Sequence, residues 1–574
     1  MVLVRLLLFF ISTIGSFELI RKASDDKVSI YFLPSLTIAI QVSVLFMAGL
    51  LNLLPEAVIA LYLIGFAGII YSICKNRSLA FLKSYINPGY ILFIALLLVF
   101  AVYLRGKVFK SFDNFSHWAL VVKQMLATDR YPNFKDTVIV FQSYPLGSAS
   151  YIYYFAKLTK TSESFQMLAQ TYMMLAAILP LYSFAKKNHL AVSAVFVSFV
   201  NYVFLYNSKI VELYVDTLLP LAGICGLLFV YQHCKECQKI MLCFAACYMV
   251  QAAQIKNYGI FFVAFIVIYL LKLAPKRDIN YAVCAAAPFI SLLLWYKHCG
   301  YVYEAAATSS QAMTVEKFVS VFGNKSQENI STICAKLFKS AVSYKEVWIT
   351  AGICALIGVL ILLARKEIRK IFRKIAVFSL VIYVIYEIGI LGMYLFSLSV
   401  SEAIILASFD RYTKTILIAI LYLNMVPAVM MLSDLSGKHI KTVFTTACLF
   451  VSFFVGMFIS SGSITTVVQI KYDAARRNWI EDVSRKYGVQ KDSSYCILIP
   501  YSDNSYTYYV GRYIFLSANV TATVIQSEDD FNDISQKYVF VYDQNNEIIQ
   551  DWIQKVYPDQ VGNEVIIQPV AEVQ

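Results

Sequence analysis

The chain has 574 residues, of which 59% are hydrophobic and 15% are charged, and its mean hydropathy is +0.64. This composition is too apolar for a soluble globular protein and indicates a polytopic membrane protein. The formal net charge of +13 comes from short basic loops between apolar segments. It therefore indicates contact with anionic membrane lipids and requires no nucleic acid partner.

Apolar segments long enough to cross a bilayer follow one another along most of the chain. A span needs about 20 mostly apolar residues, and a scan at that length predicts about 13 to 14 transmembrane helices. The predicted spans are 2–20, 29–53, 55–73, 88–104, 164–184, 189–207, 215–232, 239–254, 257–272, 279–297, 347–364, 374–396, 413–432 and 440–459. The eighth and ninth are short and are separated by polar residues, which also allows one kinked or re-entrant element.

Lysine and arginine are concentrated in every second loop, for example in 21–27, 75–83 and 365–374. Because short basic loops stay in the cytoplasm, this pattern predicts an N-terminus outside the cell membrane. The loops 105–163 and 298–346, and the chain after about residue 460, are then expected on the outer face. Functional residues are therefore expected in these outer segments.

The loop 105–163 is far longer than a simple connection requires. Within it, residues 116–127 have the apolar periodicity of a helix lying along the membrane surface. Asp113 stands just before this helix, so it is expected either to cap the helix or to act chemically. His117 is a candidate for contact with a sugar or with Asp113, or else a solvated neighbour, and Trp118 is expected to anchor the helix at the membrane interface.

Polar residues also interrupt later spans on the outer side. Asp216 and Lys256 are expected either to orient a sugar and a phosphate or to pair with each other and fix the packing. Arg411 and Lys414 are three residues apart on one helical face, where a guanidinium is well suited to bind a phosphate. The alternative for Arg411 is a side chain that reaches to the interface or pairs with Asp410.

The chain changes character after residue 460. Residues 460–574 contain nine Lys and Arg against fifteen Asp and Glu, so their net charge is 9 − 15 = −6. They also lack histidine and a glycine-rich phosphate loop, so no catalysis is predicted for them. Apolar runs and helical periodicity predict a small α/β domain. The predicted strands are 494–500 and 537–543, and the predicted helices are 472–488 and 546–558.

The predicted domain division follows from these features. Residues 1–460 form a transmembrane domain that includes the external loops 105–163 and 298–346, and residues 461–574 form an extracytoplasmic soluble α/β domain. The cysteines indicate no disulfide framework, and the HCKEC sequence at 233–237 lacks a second ligand pair, so thiols at a helix end are favoured over zinc. No metal site is predicted; a divalent metal is compatible with the sequence but is not indicated by it.

Two motifs of the long external loop resemble a known family. The sequences DNFSHW (113–118) and YPLG (144–147) resemble the D-E-F-S-H-W … Y-P-P-G pattern of bacterial enzymes that build cell-surface glycans. These enzymes belong to the GT-C superfamily of integral-membrane glycosyltransferases, which use polyprenyl-phosphate-linked sugars. Asn114 stands where the pattern has a second acidic residue, so this motif lacks a carboxylate pair for a metal. The resemblance implies a GT-C-like transmembrane domain, an inverting transfer, and binding of the lipid phosphate by later basic residues such as Arg411.

The chemistry of such a transfer is compatible with a single carboxylate. A phosphate leaving group departs without a strong acid, whereas the acceptor hydroxyl needs a base, and Asp113 is the candidate. Charge developing on the phosphate requires fixed cations, for which Arg411, Lys414 and Lys256 are candidates. The expected function is transfer of a sugar from a polyprenyl-phosphate-linked donor to a cell-surface glycan or a lipid-linked acceptor.

Two other functions remain open at the level of sequence. A polymerase or ligase of lipid-linked glycans would share the external loop and the basic residues. A transporter or flippase for lipid-linked oligosaccharides would favour internal repeats and charges near the middle of the membrane. The sequence shows no such repeat.

Overall fold

The computed structural model describes residues 1–207, 210–235, 238–275, 278–303, 315–435, 437–461, 474–491 and 493–569. The chain divides into two compact units. Met1–Gly106 and Ser143–Ile470 form one, which we call the helical unit, and Lys107–Gln142 and Lys471–Gln574 form the other, which we call the α/β unit. The sequence analysis assigned the whole of loop 105–163 to the transmembrane domain, whereas the structure groups most of it with the C-terminal residues.

Apolar helices make up most of the helical unit. Among the described residues, nine are long and apolar enough to cross a membrane. They are Val2–Ala23, Ile30–Leu50, Leu54–Asn76, Glu163–Phe184, Ile279–Val302, Gln327–Ile361, Lys366–Phe396, Phe409–Asp434 and His439–Ser460. Five shorter apolar helices are Pro88–Leu104, His189–Phe204, Leu218–His233, Lys239–Ile255 and Gly259–Leu273. Each of the fourteen predicted spans coincides with one of these helices, so the prediction of a helical polytopic membrane protein is confirmed.

The predicted outer loops of this unit contain further helices that the sequence analysis did not identify. Gly147–Leu158 is buried almost throughout. Gln327–Ser343 is the amphipathic first part of the long run that continues as Lys345–Ile361. Val315–Gly323 and the short Val400–Ile404 complete the set in the described residues. Residues 304–314 of the loop 298–346 lie outside the described residues.

The two short spans that the sequence left ambiguous form a tight helical hairpin. Lys239–Ile255 and Gly259–Leu273 pack against each other and are joined by only three residues. At the turn, the Gly259 amide donates to the Lys256 carbonyl at 2.7 Å. A Cβ atom at Gly259 would collide with the Ala252 carbonyl oxygen, so glycine permits this close approach. The hairpin therefore places Lys256 at its tip.

The α/β unit is built on a four-stranded mixed sheet. Its strands are β1 (Tyr495–Leu498), β2 (Val520–Thr523), β3 (Tyr538–Val541) and β4 (Val565–Ile567), arranged in the order β2-β1-β3-β4. Strand β1 is parallel to β2 and β3, and β4 is antiparallel to β3. The predicted strands 494–500 and 537–543 correspond to β1 and β3.

Helices cover both faces of this sheet. On one face, Phe515 of helix Tyr506–Phe515 stacks on Tyr495 of β1 with ring centroids 3.9 Å apart. Helix Ala475–Lys486 lies on the same face, because its Trp479 contacts the β3 ring that Phe515 also contacts. The opposite face is covered by Glu547–Val556, whose buried residues share a core with Cys496 and Leu498. The small α/β domain predicted from the sequence is therefore present.

Aromatic side chains of 107–142 pack on helix Tyr506–Phe515 and complete this unit. Phe112 lies 4.8 Å from Tyr509 between ring centroids, and Phe115 lies 5.9 Å from Tyr506. These aromatic contacts explain why the segment clusters with the C-terminal residues.

Polar contacts fix the same packing. Arg512 donates to the carbonyls of Thr137 and Val138 at 3.0 and 2.9 Å. Lys123 donates to the Tyr513 carbonyl at 2.6 Å. Each contact satisfies a backbone carbonyl with a charged donor, which makes it stronger than a bond between neutral groups.

The helix predicted for 116–127 exists, but its apolar face is not free to lie on a membrane. Ala119–Thr128 continues the turn Asn114–Trp118, and Leu120, Val121 and Met125 are fully buried in the protein. The prediction of a membrane-surface helix is therefore wrong. An amphipathic pattern identifies an apolar face without showing whether lipid or protein covers it.

Candidate functional site

Asp113 lies in the α/β unit, at the start of an unusual helical turn. Residues Asn114–Trp118 form a π-helical turn that leads into the α-helix Ala119–Thr128. Such turns are rare and are often found at functional sites. Asp113 occupies the N-cap position of this turn, but its side chain makes no capping hydrogen bond. The alternative of Asp113 as a helix cap is therefore not supported.

The residues that follow Asp113 are buried, whereas Asp113 is half-buried. Asn114 is 0% exposed, His117 is 3% exposed and Trp118 is 9% exposed. The His117 ring lies edge-on to Trp118 and to Phe141, with centroids 4.7 and 5.9 Å apart. His117 is thus held by aromatic packing and is not a solvated neighbour. Trp118 is covered by protein, so its predicted role as an interfacial anchor is not supported.

Asp216, Lys256 and Arg411 form one ion-pair cluster in the helical unit. Lys256 Nζ lies 2.8 Å from Asp216 Oδ1, and Arg411 Nε lies 3.4 Å from Asp216 Oδ2. The exposed fractions of the Lys256, Asp216 and Arg411 side chains are 6%, 11% and 24%. Two cations against one carboxylate give a net charge of 2 − 1 = +1. The fold therefore brings together three predicted residues that are far apart in sequence.

Tyrosine rings surround the two cations of this cluster. The Arg411 guanidinium carbon lies 5.2 Å from the centre of the Tyr214 ring and 5.3 Å from that of Tyr412. Lys256 Nζ lies 5.4 Å from the centre of the same Tyr412 ring. Aromatic faces attract cations without neutralising their charge. The rings therefore add to the interactions that hold the two cations in place.

The carboxylate of the cluster comes from an irregular segment just before helix Leu218–His233. Gln170 stabilises this segment by donating to the carbonyls of Glu212 and Tyr214 at 3.2 and 3.1 Å. Both cations lie within ion-pair distance of the Asp216 carboxylate, so they stabilise its ionised form.

Arg411 is the third residue of helix Phe409–Asp434, so its charge adds to the positive end of the helix dipole. Its side chain contacts the Asp216 carboxylate and the rings of Tyr214 and Tyr412. The exposed Asp410 precedes Arg411 directly in the sequence. Lys414 lies one turn further along the helix, half-buried and outside the ion-pair cluster.

A buried carboxylate next to this helix was missed by the sequence analysis. The Thr413 hydroxyl, two residues after Arg411, donates to Glu387 Oε1 at 3.1 Å. Thr413 is 0% exposed and Glu387 is 6% exposed. Glu387 stands near the middle of the predicted span 374–396, where a carboxylate is costly, and that cost is the signal by which the sequence could have identified it.

The YPLG motif packs against the tip of the helical hairpin. Gly147 begins helix Gly147–Leu158, and a Cβ atom at this position would lie 2.7 Å from the Gln254 carbonyl oxygen. Gln254 stands two residues before Lys256. The glycine of the motif thus permits the start of this helix to approach the segment that carries a cation of the cluster.

The six candidate residues fall into two groups. Asp113 and His117 belong to the α/β unit, and Asp216, Lys256, Arg411 and Lys414 belong to the helical unit. Tyr214 and Tyr412 were not predicted as site residues. Tyr214 stands two residues before Asp216, and Tyr412 directly follows Arg411.

In the ranges that the structure describes, no group of three or more His, Cys, Asp or Glu side chains is arranged to hold a metal ion. Of the HCKEC sequence, Cys237 lies outside those ranges, and the buried Cys234 thiol donates to the Met241 carbonyl at 3.7 Å. We therefore derive no chemical step through a metal.

These features define a multi-pass helical membrane protein with a small α/β unit and a buried cluster of net positive charge. The chain matches no protein-family model, and a comparison with curated proteins finds no match. Its function is therefore argued from its own residues.

Proposed function

We propose that the chain is a GT-C-type membrane glycosyltransferase. It transfers a hexosyl or pentosyl group from a polyprenyl-phosphate-linked donor to a cell-surface glycan or a lipid-linked acceptor on the outer face of the cell membrane. The observation that carries this proposal is the cluster of Asp216, Lys256 and Arg411, with its net positive charge among apolar helices. A lipid donor presents one phosphate next to a long apolar chain, and such a cluster is suited to that combination.

The cations bind the donor phosphate in this proposal. Arg411 offers a planar guanidinium that matches two phosphate oxygens, and Lys256 offers a point charge. Lys414, which lies on the same helix as Arg411, adds a third cation. Asp216 keeps Arg411 and Lys256 oriented before the donor binds, which lowers the entropic cost of binding. As the bond to the sugar breaks, negative charge develops on the phosphate, and fixed cations stabilise it.

Asp113 is the base in this proposal. The acceptor hydroxyl oxygen attacks the anomeric carbon from the face opposite the phosphate, Asp113 takes the hydroxyl proton, and the bond from the anomeric carbon to the phosphate oxygen breaks. Polyprenyl phosphate leaves, and the configuration of the sugar is inverted. His117 contacts the sugar. Asp113 directly precedes the π-helical turn, a rare conformation that is often found at functional sites, and this position supports the role of its carboxylate as a base.

The test is release of polyprenyl phosphate. Purified protein in lipid nanodiscs is mixed with undecaprenyl-phosphate-linked hexose or pentose and a glycan acceptor, and free undecaprenyl phosphate is measured by mass spectrometry. We expect release by the natural protein and little release by Arg411→Ala. Movement of lipid-linked oligosaccharide across the bilayer without release would show a flippase, and extension of lipid-linked glycans would show a polymerase or ligase.

A further inference from the structure

The sheet of the α/β unit contains a topological switch point. Strand β1 lies between the parallel strands β2 and β3, so the connection leaving β1 and the connection leaving β3 diverge. After β1 the chain enters helix Tyr506–Phe515 on one face, and after β3 it enters Glu547–Val556 on the other. Diverging connections leave a crevice at the carboxyl ends of the two strands, where ligands of open α/β sheets bind.

The residues at this crevice are aromatic and polar. Tyr501 follows β1, Tyr542 follows β3, and Arg476 and Trp479 lie in the first turns of helix Ala475–Lys486. The Arg476 guanidinium carbon lies 4.9 Å from the centre of the Tyr542 ring and 5.5 Å from that of Tyr501. Trp479 contacts the Tyr542 ring at 4.9 Å. Three aromatic rings and one guanidinium thus meet at one edge of the sheet.

Tyr501 is the exposed member of this group. Its side chain is 62% exposed, although it is a large aromatic residue beside a well-ordered set of contacts. Arg476 lies 5.5 Å from the ring centre and donates to the Tyr501 hydroxyl at 3.5 Å, so the ring is held on one side while most of its surface stays accessible.

The charge of the crevice is balanced. Arg476 forms an ion pair with Asp503 and donates to the Thr507 hydroxyl at 2.9 Å. Asp503 also accepts from the Thr507 amide at 3.1 Å, so the pair is held in place at the start of helix Tyr506–Phe515. A neutralised cation is unsuited to a phosphate, and the net charge of residues 460–574, 9 − 15 = −6, disfavours anionic ligands further.

We propose that this crevice binds a neutral saccharide chain. A sugar ring would stack its apolar face on Tyr501, and its hydroxyls would bond to the paired Arg476 and Asp503 and to the exposed polar residues 502 and 504 of the loop after β1. Aromatic platforms flanked by planar polar groups are suited to sugars, which present both kinds of surface. This site binds glycan without chemistry and does not depend on the proposed transfer reaction.

The experiment measures binding by the full-length protein in nanodiscs, without any lipid donor. The probes are cellohexaose, chitohexaose, mannohexaose and maltohexaose, and saturation-transfer NMR and calorimetric titration report binding. We expect at least one of these probes to bind, and Tyr501→Ala to raise its Kd by about tenfold or more. Tyr501→Phe, which keeps the ring, should retain most of the affinity.

The matched control is Tyr301→Ala, which removes a tyrosine that is 88% exposed in the helical unit and should leave the Kd unchanged. Binding that survives Tyr501→Ala, or an equal loss in Tyr301→Ala, would overturn the proposal. So would the absence of binding by all four probes at millimolar concentration, or binding of uridine monophosphate that Tyr501→Ala abolishes, which would show a nucleotide site. Because the donor lipid is absent, these results are independent of the transfer assay.

Discussion

At the scale of single residues, the cluster of Asp216, Lys256 and Arg411 shows how three buried charges are stabilised together. Taking a charge out of water costs several kcal/mol, and leaving one partner of a buried pair alone costs about 3–5 kcal/mol. Asp216 serves both cations, so its removal would leave both without a carboxylate. The arrangement therefore tolerates a change at either cation better than a change at Asp216.

Arg411 provides the first prediction at this scale. Arg411→Lys should raise the donor KM and lower turnover, because an ammonium offers one point of charge where a guanidinium holds two phosphate oxygens. Arg411→Ala should nearly abolish activity at unchanged protein level. Donor titrations with purified variants measure both effects, and the exposed Arg369→Lys serves as the control with wild-type kinetics. Wild-type kinetics for Arg411→Lys would remove this residue from the site.

Asp113 provides the second prediction at the scale of single residues. Asp113→Asn should reduce kcat by about a hundredfold or more, because the amide cannot accept the proton of the acceptor hydroxyl. Its melting temperature should stay close to wild type, because Asn has nearly the same shape as Asp and is equally favoured before a helix. Steady-state kinetics and a thermal melt measure the two properties, with Asp482→Asn, which is 71% exposed, as the control. Full activity of Asp113→Asn would contradict its role as the base.

The sequence predicted these charged residues individually but not their arrangement. Asp216 and Lys256 drew attention because charges are rare in apolar spans, and their pairing was one of the two expected outcomes. That Arg411 joins the same carboxylate was not predictable, because it depends on how helix Phe409–Asp434 is rotated against its neighbours. Periodicity indicates which face of a helix is apolar but not its rotation in a crowded bundle.

At the scale of elements, the close approach of helix Gly147–Leu158 to the hairpin tip provides the third prediction. Gly147→Ala should lower both the melting temperature and the activity, because the new methyl group would lie 2.7 Å from the Gln254 carbonyl oxygen and overpacking costs about 1–3 kcal/mol. Gly389→Ala is the control, because its Cβ atom would meet nothing within 4 Å. Thermal melts of the two variants in one detergent compare them, and equal melting temperatures would contradict the predicted strain.

The sequence predicted long elements well and short elements poorly. Helices of about 20 apolar residues are recognisable from composition alone, and β1 and β3 stand out as short apolar runs rich in aromatic and branched residues. Strand β2 is as short as β1 and β3, but its sequence VTAT is partly polar and only its first residue is buried, and β4 has only three residues, so neither stands out from a loop. The π-helical turn Asn114–Trp118 depends on local hydrogen-bond geometry and has no periodic signal.

At the scale of the whole molecule, the α/β unit is assembled from two distant parts of the chain. The fourth prediction follows from the packing of 107–142 on helix Tyr506–Phe515. A fragment 471–574 expressed alone should aggregate, because the aromatic face of that helix would be exposed. The same fragment joined to 107–142 by a flexible linker should be soluble. Size-exclusion chromatography and circular dichroism test both fragments, and a monomeric, cooperatively melting 471–574 would contradict the prediction.

Membrane topology provides the fifth prediction. Cysteines introduced at the exposed position 135 and at the partly buried position 530 should react with a membrane-impermeant thiol reagent on intact cells, and a cysteine at 370 should not. After the cells are opened, position 370 should react as well, which controls for its accessibility. Labelling of 370 alone on intact cells would reverse the orientation and place Asp113 in the cytoplasm.

The α/β unit cannot fold until both of its parts, 107–142 and 471–574, have been synthesised. The partner helix of Phe112 and Phe115 is complete only at Phe515, so the ribosome must add 515 − 115 = 400 residues after Phe115. At about 5–20 residues per second this takes about 20 to 80 s, during which the two rings have no partner helix. A chaperone or the bilayer surface must shield these rings in that interval. The chain is therefore most exposed to proteolysis halfway through its translation, and any slowing of elongation lengthens that exposure.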